Sequence, residues 1–280
     1  MIINKWLQYS YNFLKKNEIK LYQLESVIML SFVLKKSKSW IYGYSEKKIN
    51  FTQLKILKKM LKRRVRGEPI AYILGFCEFW SLKIYVSHNV LIPRQDTEIL
   101  VNVACKKINF KTQKILDLGT GSGIIALVIA NRFNNLNITA VDFRKKILNI
   151  AKYNAKKLLI NNITFLKSNW FSKLKNKKFD VIVSNPPYIS YKEYFFFKKK
   201  LRFEPITSLV ACNNGLANFH YIISESLKYL NNYGWLILEH GYKQSNTVQK
   251  ILKKNYYRNI TKYTDIQGYY RVICAQKILL

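Results

Sequence analysis

Apolar positions recur at helical spacing through the first 80 residues. Leu21, Leu24, Val27, Ile28 and the run 30–34 form one set; Phe51, Leu54, Ile56, Leu57, Met60 and Leu61 form a second. Gly43 between them marks a turn. The pattern predicts a small helical-bundle domain over residues 1–80. Gly67-Glu68-Pro69-Ile70 breaks it, since the residue before a proline avoids the helical region. Aromatic and β-branched residues over Phe79–Val86 predict a hairpin strand. Residues 81–110 are then expected as a connecting hairpin and linker helix. Leu91–Glu98 reads as a loop, with Asp96 or Thr97 expected to cap a helix starting near Glu98.

From about Lys114 the pattern changes to strand–helix alternation. Strands are expected at Lys114–Leu118, Asn137–Val141, Ile163–Leu166, Phe179–Ser184 and Gly234–Glu239. Helices are expected at Ile124–Arg132, Arg144–Leu159 and Tyr221–Leu230. Such alternation predicts an α/β domain over 111–280, a mostly parallel sheet with helices on both faces. Ligands of such sheets bind beyond the carboxyl ends of the strands. The basic-aromatic stretch Tyr191–Lys200 is the one low-complexity segment.

Composition narrows the picture. The 280 residues are 49% hydrophobic, ample for a packed core. No run of about 20 apolar residues exists, which argues against a transmembrane protein. The first 17 residues lack a signal-peptide layout, so the cytosol is the expected compartment. Cys77, Cys105, Cys212 and Cys274 lie far apart, and His88, His220 and His240 share no ligand spacing, so no metal site is expected. Net charge is +33, which attracts polyanions. Lysine supplies 39 of the 48 positive residues and is spread along the whole chain. That distribution fits the codon drift of an AT-rich genome better than a dedicated arginine-rich reader. Weak nonspecific contact with nucleic acid or the ribosome is expected either way.

Two clusters carry chemistry. The first, Asp117-Leu118-Gly119-Thr120-Gly121-Ser122-Gly123, runs from a strand into a helix. Its glycines allow a tight turn and a close backbone approach to a ligand. Asp142, nineteen residues after Gly123, ends the next strand, where an acid can accept both ribose hydroxyls of a nucleoside. The spacing is neither a dinucleotide fingerprint nor a phosphate loop. Asp117 suits a cationic ligand group, such as the ammonium or sulfonium of S-adenosylmethionine. These features resemble the cofactor site of a class I methyltransferase.

The second cluster, Asn185-Pro186-Pro187-Tyr188, follows an apolar strand. Its prolines remove two backbone donors and leave carbonyl acceptors, and Asn185 adds a side-chain acceptor. Such acceptors can grip both hydrogens of a planar NH2 group, while Tyr188 offers a face for stacking. An amide or aryl amine is a poor nucleophile, so in-line placement is the catalytic need, and Asn185 is expected to position rather than to act as a base.

Nearly the whole chain resembles the HemK-type peptide chain release factor glutamine methyltransferases. The resemblance rests on the block from Arg66 to Leu82, on Ile92-Pro93-Arg94-Gln95-Asp96-Thr97-Glu98, on Asp117–Gly123, Asp142 and Asn185–Tyr188, and on Phe203-Glu204-Pro205. Asp265 and Arg271 fit its terminal strands loosely. The sequence departs from the family pattern at Gln95 (usually proline), at Asn169 in Ser168-Asn169-Trp170 and at Asn214 in Asn214-Gly215-Leu216 (both usually aspartate). The resemblance implies a Rossmann-like class I methyltransferase domain behind a helical domain that docks substrate. It implies S-adenosylmethionine as cofactor and class 1 release factors as substrate, methylated on the glutamine of their Gly-Gly-Gln motif. Gly119, Thr120, Gly121, Ser122 and Gly123 would line the cofactor, Asp142 would hold its ribose, Trp170 would pack near the adenine and Asn169 would offer an amide. Asn185, Pro186, Pro187 and Tyr188 would bind the target amide, with Arg94 and Thr97 near the mouth. A loop salt bridge to Asp96 is the other reading of Arg94.

Two further readings stand beside this one. The Asn-Pro-Pro-Tyr grip also fits the exocyclic amine of a flipped adenine in DNA or RNA, and the charge favours nucleic acid. The roughly 90 residues after Tyr188 leave little room for an added target-recognition region. A non-catalytic RNA-binding relative would be expected to have lost part of the two clusters, which are intact.

Overall fold

The computed structural model describes residues 1–278 and divides them into two compact units, Met1–Gly75 and a second starting at Phe76. The first unit holds helices α1 (Ile3–Lys16), α2 (Tyr22–Leu34), α3 (Lys38–Gly43), α4 (Phe51–Val65) and α5 (Ile70–Leu74). In α1 the buried positions Ile3, Trp6, Leu7, Ser10 and Leu14 recur at one-face spacing, so the helix buries a stripe against its neighbours. Asn50 and Gln53 close a reciprocal capping box at the start of α4. The Arg64 guanidinium pairs with the buried Glu25 carboxylate at 2.5 Å, tying α4 to α2.

The second unit opens with a hairpin, β1 (Phe76–Phe79) and β2 (Leu82–Tyr85), where one strand over Phe79–Val86 is expected from sequence. Trp80 and Ser81 at its turn both take left-handed backbone, the geometry a two-residue hairpin turn requires. Neither residue type advertises that conformation, so the turn is hidden in the sequence. Helix α6 (Thr97–Lys107) follows. The stretch expected as a separate connector over 81–110 thus lies within the second unit, because α6 packs on the sheet.

The remaining elements are β3 (Lys114–Leu118), α7 (Ile124–Arg132), β4 (Asn137–Asp142), α8 (Lys145–Lys157), β5 (Ile163–Lys167), β6 (Phe179–Ser184), α9 (Tyr191–Leu201), α10 (Cys212–Gly215), α11 (Ala217–Tyr229), β7 (Leu230–Glu239), α12 (Ser245–Lys254), β8 (Arg258–Thr264) and β9 (Tyr270–Gln276). The strands form one seven-stranded sheet in the order β5-β4-β3-β6-β7-β9-β8. β5, β4, β3, β6 and β7 are parallel, and β9 joins β7 antiparallel. The order reverses between β3 and β6, creating the switch point at which doubly wound sheets hold ligands.

The central strands are buried on both faces, which explains their unbroken apolar runs. Every residue of α7 from Ile124 to Ala130 is buried as well. The Tyr191–Lys200 stretch is helical: Ser190 and Glu193 form a capping box at the start of α9, and Phe195, Phe196 and Phe197 stay exposed. α10 is less a helix than a turn, with Asn213, Asn214 and Gly215 all left-handed.

Candidate active site

Two loops meet at the switch point, one leaving β3 and one leaving β6. The first is the glycine turn. Gly119 and Thr120 both donate backbone N–H groups to the Val141 carbonyl, at 2.9 Å each, which pins the turn to β4. Gly119, Gly121 and Gly123 all have positive φ. At Gly123 a β-carbon would press within 3.1 Å of Ala151 and Leu127, so glycine is needed both for conformation and for helix packing. The buried Asn154 side chain braces the turn from α8. Its amide donates to the Ser122 carbonyl (2.9 Å) and exchanges hydrogen bonds with the backbone of Tyr85.

Asp117 sits beneath this turn, fully buried. Its Oδ2 accepts from the Thr120 hydroxyl at 2.6 Å and from the Ala126 N–H at 3.3 Å. Its Oδ1 has no partner among the described residues. Burial pushes the carboxyl up to about 7, against those two hydrogen bonds. Asp142 ends β4 beside the turn, accepting from Gly121 N–H (3.2 Å) and Arg144 N–H (3.3 Å). Burial raises its carboxyl too, and these backbone donors oppose the rise. The Trp170 ring lies over the turn, 3.5 Å from where a β-carbon on Gly119 would stand. Asn169 is exposed, its N–H donating to the Ser172 hydroxyl.

The second loop is Asn185–Tyr188. Its backbone is held from outside. The Asn218 amide donates to the Pro187 carbonyl at 2.8 Å, and the Gln244 amide donates to the Tyr188 carbonyl at 2.9 Å. This bracing uses the carbonyls of Pro187 and Tyr188 and leaves that of Pro186 for another donor. The Asn185 amide nitrogen donates to the Thr97 hydroxyl at 3.2 Å. Thr97 in turn donates to Glu239 Oε2 at 2.7 Å, and the Tyr188 hydroxyl lies 3.5 Å from Glu239 Oε1. Glu239 is fully buried at the end of β7, the strand beside β6, and burial pushes its carboxyl up to about 7. Burial also raises the Tyr188 phenol.

Sequence reasoning and structure differ at the 92–98 loop. Asp96 stands at the N-cap of α6, but neither its side chain nor that of Thr97 caps the helix. Asp96 instead pairs with Arg271 at 3.2 Å, and Thr97 points its hydroxyl at Glu239. Arg94 pairs with the buried Glu204 carboxylate at 2.5 Å and not with Asp96. Arg271 also holds Asp265 at 2.9 Å, so this one guanidinium joins the start of α6 to the β8–β9 turn. Glu239, Asn218, Gln244 and Asn154 carry no motif signal. The nearest clue to Glu239 is an acid at the carboxyl end of an apolar strand, the same sign that marks Asp142.

The donor set fits a nucleoside-bearing cation. An acid with one unpartnered buried oxygen lies under a turn of left-handed glycines, a second acid ends the neighbouring strand, and an indole covers the turn. The doubly wound sheet, this turn and the Asn-Pro-Pro-Tyr tetrapeptide one strand away define a class I methyltransferase. Comparison with known proteins agrees. The Methyltransferase small domain family matches residues 93–199, and the PrmC N-terminal domain family matches residues 5–75. A methyltransferase structure from Pyrococcus furiosus shares the fold at a TM-score of 0.55 and 19% identity, over 78% of this chain and 99% of that one. The release factor glutamine methyltransferase of Buchnera aphidicola subsp. Acyrthosiphon pisum is 45% identical over 99% of both chains, and that of Salmonella typhimurium 39% over 99% of both. The chain belongs to the release factor glutamine methyltransferase family. Among the described residues no helix is long and apolar enough to cross a membrane, and no cluster of His, Cys, Asp or Glu could hold a metal ion.

Proposed function

We propose that this protein methylates the side-chain amide nitrogen of the glutamine in the Gly-Gly-Gln motif of class 1 peptide chain release factors, using S-adenosylmethionine, in the cytosol. The observation that carries the proposal is the tethered Asn185 amide beside the glycine turn, one strand away across the switch point. The cofactor supplies an electrophilic methyl group on a sulfonium. Gly119–Gly123, with Thr120 and Ser122, line its pocket, and the free Oδ1 of Asp117 suits its ammonium. Asp142 accepts the ribose hydroxyls, Trp170 packs on the adenine, and Asn169 lies at the outer edge.

Asn185 and the Pro186 carbonyl accept the two N–H groups of the target amide. That grip turns the amide nitrogen toward the methyl group, an orientation effect that can supply several kcal/mol of the barrier reduction. As the new C–N bond formed, the methyl–sulfur bond would break to leave the neutral thioether S-adenosylhomocysteine, and the nitrogen's proton would then pass to water, so the site needs acceptors that orient and no strong base beforehand. Pro187 and Tyr188 wall the amide, and the half-buried Arg94 stands at the mouth with Glu204. The helical unit Met1–Gly75 is the docking element for the rest of the factor.

The test is methyl transfer from labelled S-adenosylmethionine at near-physiological salt. The protein is offered a release factor, the same factor with its Gly-Gly-Gln glutamine replaced, and adenine-containing DNA and RNA. Label on the intact factor alone is expected. Label on nucleic acid with the factor untouched would move the pocket to adenine and make the lysine-rich surface part of recognition.

A further inference from the structure

A primary amide has two faces that look alike in shape and opposite in chemistry. Its oxygen accepts and its nitrogen donates, so an asparagine that binds another amide must be told which way round to stand. The site contains the means to do so. Asn185 Nδ2, Thr97 Oγ1 and Glu239 Oε2 form a chain with spacings of 3.2 and 2.7 Å. At its far end is the Glu239 carboxyl, which in its ionised form can only accept. Thr97 must therefore donate its one proton to Glu239, and its lone pair is left to accept from Asn185. The Asn185 nitrogen is drawn inward and its oxygen faces out.

We infer that Thr97 and Glu239 are positioning residues that fix the polarity of the Asn185 amide, and through it make the site selective for a substrate NH2 over a carboxylate or other acceptor. This rests on the proposed role of Asn185 in gripping the target amide. Neither residue touches the reacting atoms. Their separation from Asn185 in sequence is large, yet the fold brings them together simply: β6 and β7 are parallel neighbours, Ser184 pairs with Leu238, and the next residues on each are Asn185 and Glu239. Thr97, in the first turn of α6, is buried between them.

The groups around Glu239 make the device sensitive to proton concentration. Asp96 from the 92–98 loop disfavours its charge, and Arg271 from β9 favours it. The Tyr188 phenol faces its other oxygen from the β6 loop, and the neighbouring His240 is buried with its charged form disfavoured. A protonated Glu239 can donate, which lets Thr97 reverse and present its hydrogen to the Asn185 oxygen. Acidification through about pH 7, where burial holds the Glu239 carboxyl, should thus loosen the polarity of the site. Glu239→Gln installs the same freedom permanently, since glutamine both donates and accepts.

The experiment measures kcat with a release factor, the affinity for S-adenosylmethionine, and inhibition by the same factor carrying glutamate in place of the target glutamine. Glu239→Gln is expected to lower kcat about tenfold or more, as expected when a hydrogen bond to a charged group is lost. Cofactor affinity should stay within about twofold. The preference for the glutamine factor over the glutamate one should narrow by about tenfold. The acid limb of the wild-type kcat profile should flatten in the same variant. Thr97→Ser should keep kcat near wild type, and Thr97→Val should lose it, which keeps the test alive if Glu239→Gln folds poorly. Wild-type kcat and wild-type discrimination in both Glu239→Gln and Thr97→Val would overturn the inference. A wild-type protein that labels no release factor would instead sink the proposed function, on which the inference depends.

Discussion

Gly215 lies so close to the carbonyl oxygen of Tyr188 that a β-carbon on it would stand 2.1 Å away. Its φ of +82° is itself unfavourable for any residue with a side chain. The left-handed turn at 213–215 is therefore part of the wall that shapes the Asn185–Tyr188 loop. Gly215→Ala is expected to displace Tyr188 and destabilise the second unit by roughly 2 kcal/mol. Transfer should drop sharply while S-adenosylmethionine still binds. Titration with the cofactor and a thermal melt, run beside the transfer assay, check the three parts separately.

Asn185→Ala should cut methyl transfer by roughly a hundredfold or more and leave cofactor binding largely intact, because it removes an acceptor needed for orientation. Asp142→Ala should do the reverse in order, weakening cofactor affinity by about tenfold to a hundredfold before any effect on turnover at saturation. Calorimetric binding and saturation kinetics on both variants separate these outcomes. Unchanged affinity in Asp142→Ala would remove its ribose role, and loss of cofactor binding in Asn185→Ala would make Asn185 structural.

Arg94 and Glu204 can be read with a double-mutant cycle. Glu204 is buried and its Oε2 has no partner among the described residues, so Arg94 supplies much of its compensation. Arg94→Ala is expected to cost about 1–3 kcal/mol in denaturant unfolding, most of it from leaving Glu204 buried and charged. Arg94→Ala with Glu204→Gln should recover part of that loss. Additive losses would show that the pair is not coupled.

Glu239 also predicts a pH dependence of stability. Its carboxyl is held up to about 7 against an ordinary value of 4.5. Between those values the folded protein binds the proton more readily than the unfolded chain, so stability falls as pH rises through the window. The contribution is fully present below about 4.5 and gone above about 7. Relative to Glu239→Gln, the wild-type protein should therefore be more stable at pH 5 than at pH 8. Urea midpoints of the two proteins at several pH values check the sign, and a constant difference would contradict it.

The parts of the site that announce themselves in sequence are those whose chemistry is local. Glycines at alternate positions after an apolar strand, an acid ending the next strand and two adjacent prolines each restrict the backbone where they stand, so Gly119–Gly123, Asp142 and Asn185–Tyr188 are readable one segment at a time. Glu239, Asn218 and Gln244 restrict nothing locally. They matter because of partners 31 to 142 positions away, which only strand order and register reveal. The Asp96–Thr97 pair misleads for the same reason. Its residue types suit a helix cap, but Arg271 and Glu239 compete for the side chains and win. The hairpin is shifted because Trp80 and Ser81 adopt a turn conformation that their identities do not favour.

The bracing of the Asn185–Tyr188 loop has a consequence for the order in which the protein is made. Synthesis delivers the glycine turn and the tetrapeptide well before Asn218, Glu239 and Gln244. A ribosome-bound chain ending at Tyr229 would carry both the Gly119–Gly123 and the Asn185–Tyr188 motifs and still lack β7, the Glu239 carboxyl and the Gln244 brace. The newborn protein becomes competent only when its last quarter is folded. A fragment that stops at the end of α11 would be a methyltransferase by sequence alone.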